Sequence, residues 1–263
     1  MENHVLHKVC RSRMNTLPGQ IFPTNYSGDI KVIEYIDANN VIIEFLCSGL
    51  RRKTRLRYIQ QGGVRDRTIP QFNNFGKPFV IGSGIYTPVA NIEAYTAWTS
   101  MIKRCYNASR LSRNPSYTGC EVADEWLNFQ NFAKWFVSQK QETAWQLDKD
   151  ILRKNNKVYA PDYCCMVPPQ INSLFIKCNR SRGKYPIGVS KHLGFPENPY
   201  VATCNDGNGK SRHLGCFLSE QEAFTAYKLF KENIIRQKAE YFKDAIDPRV
   251  YDAMMKYEVE ITD

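Results

Sequence analysis

The sequence predicts an α+β protein built from several modules, and three observations carry that expectation. Residues 17–67 are a string of short β-branched runs separated by turn residues. Residues 92–137 place apolar and aromatic side chains at intervals of three and four, the spacing of helices. Residues 187–217 return to short extended runs, and an amphipathic helical stretch follows from Ser219. With 263 residues, of which 43% are apolar, the chain has material for more than one core, and its length predicts one to three domains.

Charge narrows the partner class. The formal net charge is +10 and the isoelectric point about 9.1, which favours a polyanion. Residues 1–90 contribute +6, 91–176 contribute +2 and 177–263 contribute +2, the last dividing into +5 over 177–216 and −3 over 217–263. That segregation predicts basic faces backed by an acidic helix; a merely basic soluble surface is the competing reading. The nine cysteines include no CxxC pair, and no secretory leader is expected ahead of them. They read as reduced thiols of a cytoplasmic protein. A zinc ion on Cys105, Cys120 and Cys164 is the minority reading, because paired ligand spacing is missing. No apolar run reaches the ~20 residues a membrane helix needs, so no membrane partner is expected.

Taken in order, residues 1–16 are polar and basic and are expected as a flexible arm. Residues 17–67 then offer Ile30–Ile36 and Val41–Leu46 as strands joined at Asn39-Asn40, with Gly19, Asn25 and Gly28 as turns. Such a series suits a small SH3-like β-barrel. Arg51, Arg52, Lys53, Arg55 and Arg57 fall within seven residues and read as a second, basic hairpin that would neutralise DNA phosphates. The alternative is a solvated face. Residues 68–91, rich in Gly, Pro and Asn, are expected as a linker.

The middle region opens with an amphipathic helix over Ile92–Tyr106 on Ile92, Tyr95, Trp98, Met101, Ile102 and Cys105. A second helix is expected over Cys120–Val137, where Trp126, Phe129, Phe132, Trp135 and Phe136 read as core and not as a base-stacking platform. Trp145–Leu152 alternates with period two and predicts a strand. A basic loop at Arg153–Lys157 follows, then the extended pair Val158-Tyr159, and a helix is expected to open at Ala160-Pro161-Asp162.

The run LDKDILRKNNKVYAPDYCCMVPPQINSLF resembles the HNH (ββα-metal) motif of phage and intron homing endonucleases. YTAWTSMIKRCYN and CEVADEWLNFQNFAKWF resemble what the phage members carry ahead of it, so the likeness spans residues 92–176 as one nuclease-like domain. The resemblance implies that Asp148 occupies the metal-binding Asp position and Asn172 the last ligand position. Lys149 stands where that family has its general-base His, and Tyr163 where it has the Asn that fixes the loop. Two positions agree and two depart. A Mg²⁺ ion, a hard cation, would take oxygen donors from Asp148 and the Asn172 carbonyl, with Asp150 as a further carboxylate nearby. Lysine normally stays protonated near neutrality, so Lys149 suits phosphate contact better than base catalysis.

In the region 177–263, Ile187–Ser190, Tyr200–Cys204 and Arg212–Phe217 predict three strands. Ser219 with Glu222 predicts a capping box, and Ala223, Tyr227, Phe230, Ile234 and Tyr241 an apolar stripe. A short helix and an acidic tail should end the chain. IGVSK, YVATC, GKSRHLGCF and SEQEAFTAYKLFKENII resemble the ethylene-response-factor-type DNA-binding domain, whose sheet enters the major groove. That resemblance implies base or backbone contact by outward residues among Lys191, His192, Thr203, Asn205, Lys210, Arg212 and His213. Arg180, Arg182 and Lys184 supply a basic approach. Alternation does not say which side of each strand faces outward.

Two functions follow from these resemblances: a Mg²⁺-dependent DNA endonuclease, or a DNA-binding regulator that kept the scaffold without cleavage. Both take double-stranded DNA as partner and place the protein in a phage-infected bacterial cytoplasm.

Overall fold

The computed structural model describes residues 17–72, 77–139, 142, 144–176, 184–192, 194 and 197–261. Its elements begin with β1 (Ile21–Pro23), β2 (Asp29–Asp37), β3 (Asn40–Phe45), β4 (Arg51–Thr54) and α1 (Leu56–Gln60). They continue with β5 (Gln71–Phe72), β6 (Pro78–Phe79), α2 (Ile92–Tyr106), α3 (Ala108–Arg113), β7 (Glu121–Val122) and α4 (Phe129–Ser138). Next come β8 (Gln146–Asp148), β9 (Val158–Tyr159), β10 (Cys165–Val167) and α5 (Pro169–Asn172). The chain ends with β11 (Val189–Lys191), β12 (Tyr200–Asn205), β13 (Ser211–Phe217), α6 (Glu220–Phe242) and α7 (Pro248–Met255). The protein is α+β. No helix among the described residues is long and apolar enough to cross a membrane.

Two compact units divide the chain. The first takes the described residues up to Tyr95, with Tyr106–Ala108 and Asp124–Ala133. Its sheet is an antiparallel meander in the order β1-β2-β3-β4. Period-two alternation sends Ile30 and Val32 of β2, and Val41, Ile43 and Phe45 of β3, into one core with Leu56, Ile59 and Val64. Each such side chain contributes roughly 1.5–3 kcal/mol of burial. Among the described residues no ladder joins β1 to β4, so the expected barrel is a meander in its described ladders. The expected basic hairpin is corrected as well. Arg51–Thr54 is the last strand, and Leu56 and Ile59, three apart and both buried, coil the chain into α1 instead of turning it back.

The described residues of segment 68–91, expected as a linker, are held within this unit. β5 pairs with β6, and Val80 bridges Asn128. The Gln130 amide donates to the carbonyls of Ile81 and Tyr86, both at 2.8 Å, and accepts from the Tyr86 N–H at 3.2 Å. The helix expected over Cys120–Val137 is also broken. Glu121–Val122 is a strand, Asp124–Leu127 a 3₁₀ turn, and α4 begins after Asn128, whose side chain accepts the Gln130 N–H at 2.9 Å. Trp126, Phe129 and Phe132 are fully buried, as their spacing predicts.

The second unit takes Thr96–Cys105, Ser109–Ala123 and the described residues from Lys134 onward. β8 pairs antiparallel with β10, and β7 pairs parallel with β9. Residues 161–163 form a turn, which corrects the helix expected there. The apolar run Cys165–Val167 instead returns as β10, and the helix opens only at Pro169. The result is strand, long loop, strand, helix. Ile151, Cys165, Val167, Ile171 and Leu174 of this piece share one core with Ile234, Ile235 and Ala239 of α6, Ile246 of the turn after it, and Val250 and Met254 of α7. The central motif and the C-terminal helices are therefore one packed body, not beads on a string.

β11, β12 and β13 form the expected three-stranded antiparallel sheet, backed by α6 through Cys204, Phe224 and Tyr227. Ser219 Oγ accepts the Glu222 N–H, and Glu222 Oε2 accepts the Leu218 N–H, both at 3.2 Å, so the helix is capped as its sequence predicts. Tyr241 leaves the expected stripe: it is 79% exposed, while Ile235 and Ala239 take the buried face. Gly188 has φ +75° and lies so close to α6 that an added Cβ would meet the Tyr227 ring at 2.0 Å.

Candidate functional site

The site is built where β8 ends. Asp148 Oδ1 accepts the backbone N–H groups of Asp150 (2.7 Å) and Ile151 (2.8 Å), which stops the strand and opens the loop to residue 164. Lys149, next along, is buried. Its Nζ donates to both carboxylate oxygens of Asp150 and to the Asn156 carbonyl, all at 2.7 Å. Asn156 is the tie of this loop. Its amide donates to the carbonyls of Lys149 (2.9 Å) and Val158 (2.7 Å), and its Oδ1 accepts the Val158 N–H at 3.1 Å. Asn155 beside it adopts φ 61°, a left-handed conformation that asparagine tolerates.

Tyr163, placed by resemblance at the loop-fixing position, lies under the Arg153 guanidinium at 5.3 Å. The side chain that spans the loop is that of Asn156. Its sequence signal is the Asn155-Asn156 pair inside the turn-rich patch, which marks a turn without saying which amide closes it.

Asn172, at the end of α5, donates from Nδ2 to Oε1 of Gln146 at 2.5 Å. Gln146 and Asp148 stand two apart on β8 and share a strand face. Asp148, Lys149 and Asn172 all line one cavity of about 640 Å³, together with Asp150, Arg104, Lys154, Lys157, Tyr117, Tyr159 and Tyr257. Asp150 is committed to Lys149. Lys157 Nζ donates to the carbonyls of Ser116 (3.0 Å) and Thr118 (3.2 Å). Lys154 Nζ donates to the Glu258 carbonyl at 3.0 Å and lies 5.1 Å from the Tyr257 ring centre. Arg104 differs: its Nε is buried and has no hydrogen-bond partner among the described residues.

Burial sets the electrostatics. It pushes the Asp148 carboxyl above the usual range, with Asp150 adding to the effect against the two N–H donors and Lys149. Burial opposes the Arg104 charge, but Tyr159, Tyr117 and Asp148 outweigh it and hold the guanidinium above its ordinary value. Burial likewise pushes Cys105 up to about 12, so it is no nucleophile near neutrality.

The donor set suits a hard cation only sparsely. Asp148 keeps Oδ2 and Asn172 keeps its carbonyl oxygen; two oxygens are what Mg²⁺ commonly takes from protein, with water completing the shell. Among the described residues no group of three or more His, Cys, Asp and Glu is gathered to hold a metal, and the zinc reading of Cys105, Cys120 and Cys164 has no such group behind it.

The basic candidates fall on different faces. Arg51 and Lys53 are exposed on one side of β4, Arg51 paired with Glu44 at 2.6 Å, whereas Arg52 points the other way and donates to the Arg65 carbonyl at 3.0 Å. Arg55 is exposed just before α1, and Arg57 within it donates to the Tyr58 hydroxyl at 2.8 Å. Arg180 and Arg182 lie outside the described residues. Lys184 sits by the Tyr185 ring and Lys191 by the Tyr200 ring.

Register now decides the faces of the C-terminal sheet. Cys204 faces α6, so its partner Arg212 belongs to the helix side, where it pairs with Asp206 at 3.3 Å. Thr203 and His213, paired directly, belong to the outer side with Asn205. Asn205 also shapes the hairpin by accepting the Gly207 N–H at 2.8 Å. His192 and Lys210 are exposed at strand ends, and His192 Nδ1 accepts the Gly194 N–H at 3.2 Å. No family model, curated protein or solved structure matches this chain.

Proposed function

We propose that this chain is a double-stranded-DNA-binding protein of HNH homing-endonuclease descent, with a central site that handles a backbone phosphate. The observation that carries the proposal is the cavity in which Asp148, at the end of the first strand, and Asn172, on the helix of a strand–loop–strand–helix unit, meet Arg104, Lys149, Lys154 and Lys157. Four cations and two carboxylates, Asp148 and Asp150, line it, and the excess of positive charge suits a phosphodiester. Asp148 and Asn172 would hold Mg²⁺, which when bound supplies charge stabilisation at the leaving oxygen.

A second reading, binding without cleavage, is favoured by a specific observation. The Lys149 amine is saturated by Asp150 and Asn156, so the position of the family's base holds a locked cation. The outer face of β12 and β13, bearing Thr203, Asn205 and His213, would read bases in either case, and Arg51 and Lys53 would grip backbone.

Duplex binding measured against salt, run beside plasmid nicking in Mg²⁺ or Mn²⁺, tests both readings. Affinity should fall steeply with salt. Nicking that Asp148→Ala abolishes would establish the enzyme; its absence in the native chain and appearance in Lys149→His would establish a scaffold lacking only its base. No duplex affinity at low salt would refute the proposal.

A further inference from the structure

Three arginines converge on a cavity in the first unit. Arg52, Arg65 and Arg67 line a space of about 280 Å³, with Phe79, Ile81 and Tyr95 on its other walls. The backbone puts them there. Arg52 leaves β4 on the side opposite Arg51 and Lys53, is half-buried, and is fixed by its bond to the Arg65 carbonyl. Residues 64–67 alternate buried, exposed, buried, exposed, so Arg65 and Arg67 leave on one side.

Asp66 is the carboxylate in the same lining, and it is already committed. It accepts from the Ser48 hydroxyl, from the Thr68 N–H at 2.8 Å and from the Thr68 hydroxyl at 2.6 Å. Burial would push its pKa up, but these bonds more than offset it, so the carboxylate stays ionised and satisfied. Two positive charges are left in excess. The Arg65 guanidinium lies 3.8 Å from the Tyr26 ring centre, a contact with a ring face that consumes none of its N–H donors. Arg67 adds repulsion to the desolvation of Arg52. An anion would relieve it.

Guanidinium forks match the oxygens of a phosphate. Phe79, Ile81 and Tyr95 add apolar and aromatic lining, and the Tyr95 ring is held edge-on by Phe129, with centroids 5.3 Å apart and an interplanar angle of 86°. Such a ring takes a base in stacking. The volume lies at the small end of ligand pockets, enough for one unit and not two. We propose that this cavity binds a nucleotide, a phosphate monoester joined through its sugar to a planar base, either free or as the phosphorylated end of a strand. The site uses first-unit residues alone and does not depend on the reading of Asp148.

Calorimetry of the full chain with deoxyadenosine monophosphate, deoxyadenosine and inorganic phosphate tests the assignment. The nucleotide should bind, and the nucleoside and phosphate should each bind at least about tenfold more weakly. Arg65→Ala and Arg67→Ala, exposed positions whose melting should match the native chain, should each weaken the nucleotide by about tenfold. Lys243→Ala should leave it unchanged. An oligonucleotide with a 5′-phosphate, compared with its unphosphorylated twin, separates the sources. Tighter binding of the phosphorylated strand assigns the site to strand ends, and equal binding assigns it to free nucleotides. The proposal is overturned if the nucleotide fails to bind, if the Arg65→Ala/Arg67→Ala double variant binds it undiminished, or if inorganic phosphate binds as well.

Discussion

The amine of Lys149 lies 2.7 Å from both carboxylate oxygens of Asp150, its own neighbour in sequence, and 2.7 Å from the carbonyl of Asn156 seven residues on. A buried ammonium with that many acceptors is a strut. Lys149→Ala should therefore destabilise the chain by about 2–3 kcal/mol, because it strands a buried carbonyl and opens space. Chemical denaturation checks this. A loss near zero would mean the amine is solvated.

Asn156 closes the same loop with three side-chain hydrogen bonds. Asn156→Ala should cost about 2–4 kcal/mol, since one buried and one half-buried backbone carbonyl and one N–H lose their partner together. Tyr163→Ala should cost less, and amide hydrogen exchange across residues 149–158 should rise in the first variant alone.

Asp148 titrates against its surroundings. A carboxyl raised above its ordinary value is favoured protonated in the folded state, so its contribution is present at low pH and lost as pH rises through the raised value. Asp148→Asn, which keeps an oxygen for the N–H groups of Asp150 and Ile151, should flatten that loss and melt above the native chain near neutral pH. Added Mg²⁺ should raise the melting point of the native chain and leave the variant unmoved. A variant that melts lower at every pH would contradict the burial argument.

Glu232 pins the end of the chain. It is buried, pairs with Lys228 at 3.0 Å and accepts the Val259 N–H at 2.9 Å. Burial alone would raise its pKa, but the Val259 and Lys228 bonds outweigh it, and the carboxyl is held below its usual value. That stability is present above the ordinary glutamate range and lost as pH falls through the lowered value. Glu232→Ala should cost about 2–4 kcal/mol and make residues 256–261 cleavable by protease at concentrations that spare the native chain.

The two faces of the C-terminal sheet should behave differently toward DNA. Thr203→Ala and His213→Ala, on the outer side, should change sequence preference, about 1–3 kcal/mol for a base contacted directly. Arg212→Ala, on the helix side and paired with Asp206, should leave preference unchanged. A selection experiment on randomised duplexes reads all three.

Much of the fold is written locally. The alternation of Ile30, Val32, Val41 and Ile43, the Ser219–Glu222 cap and the buried aromatics of α4 follow from period and propensity, which act over a few residues. The helix expected at Ala160 failed for the opposite reason. Its Pro and Asp are good helix-start chemistry, but Cys165–Val167 gains more by pairing with β8 against the α6 core. The candidate site was legible as Asp148, Lys149 and Asn172. Asn156 as the loop tie and Arg104 as the half-buried cation were not: an Asn-Asn pair marks a turn without saying which amide closes it, and Arg104 meets Tyr159 and Asp148 only through tertiary packing.

The sequence by itself determined the α+β class, the positions of most strands and helices, and the excess of positive charge, since composition and periodicity are properties of the chain alone. Only the tertiary structure decided that Lys149 is bound on Asp150, that Thr203 and His213 share the outer sheet face while Arg212 does not, and that Arg52, Arg65 and Arg67 meet in one cavity. Those outcomes depend on which strand pairs with which and in what register, and a register is chosen by the whole core at once.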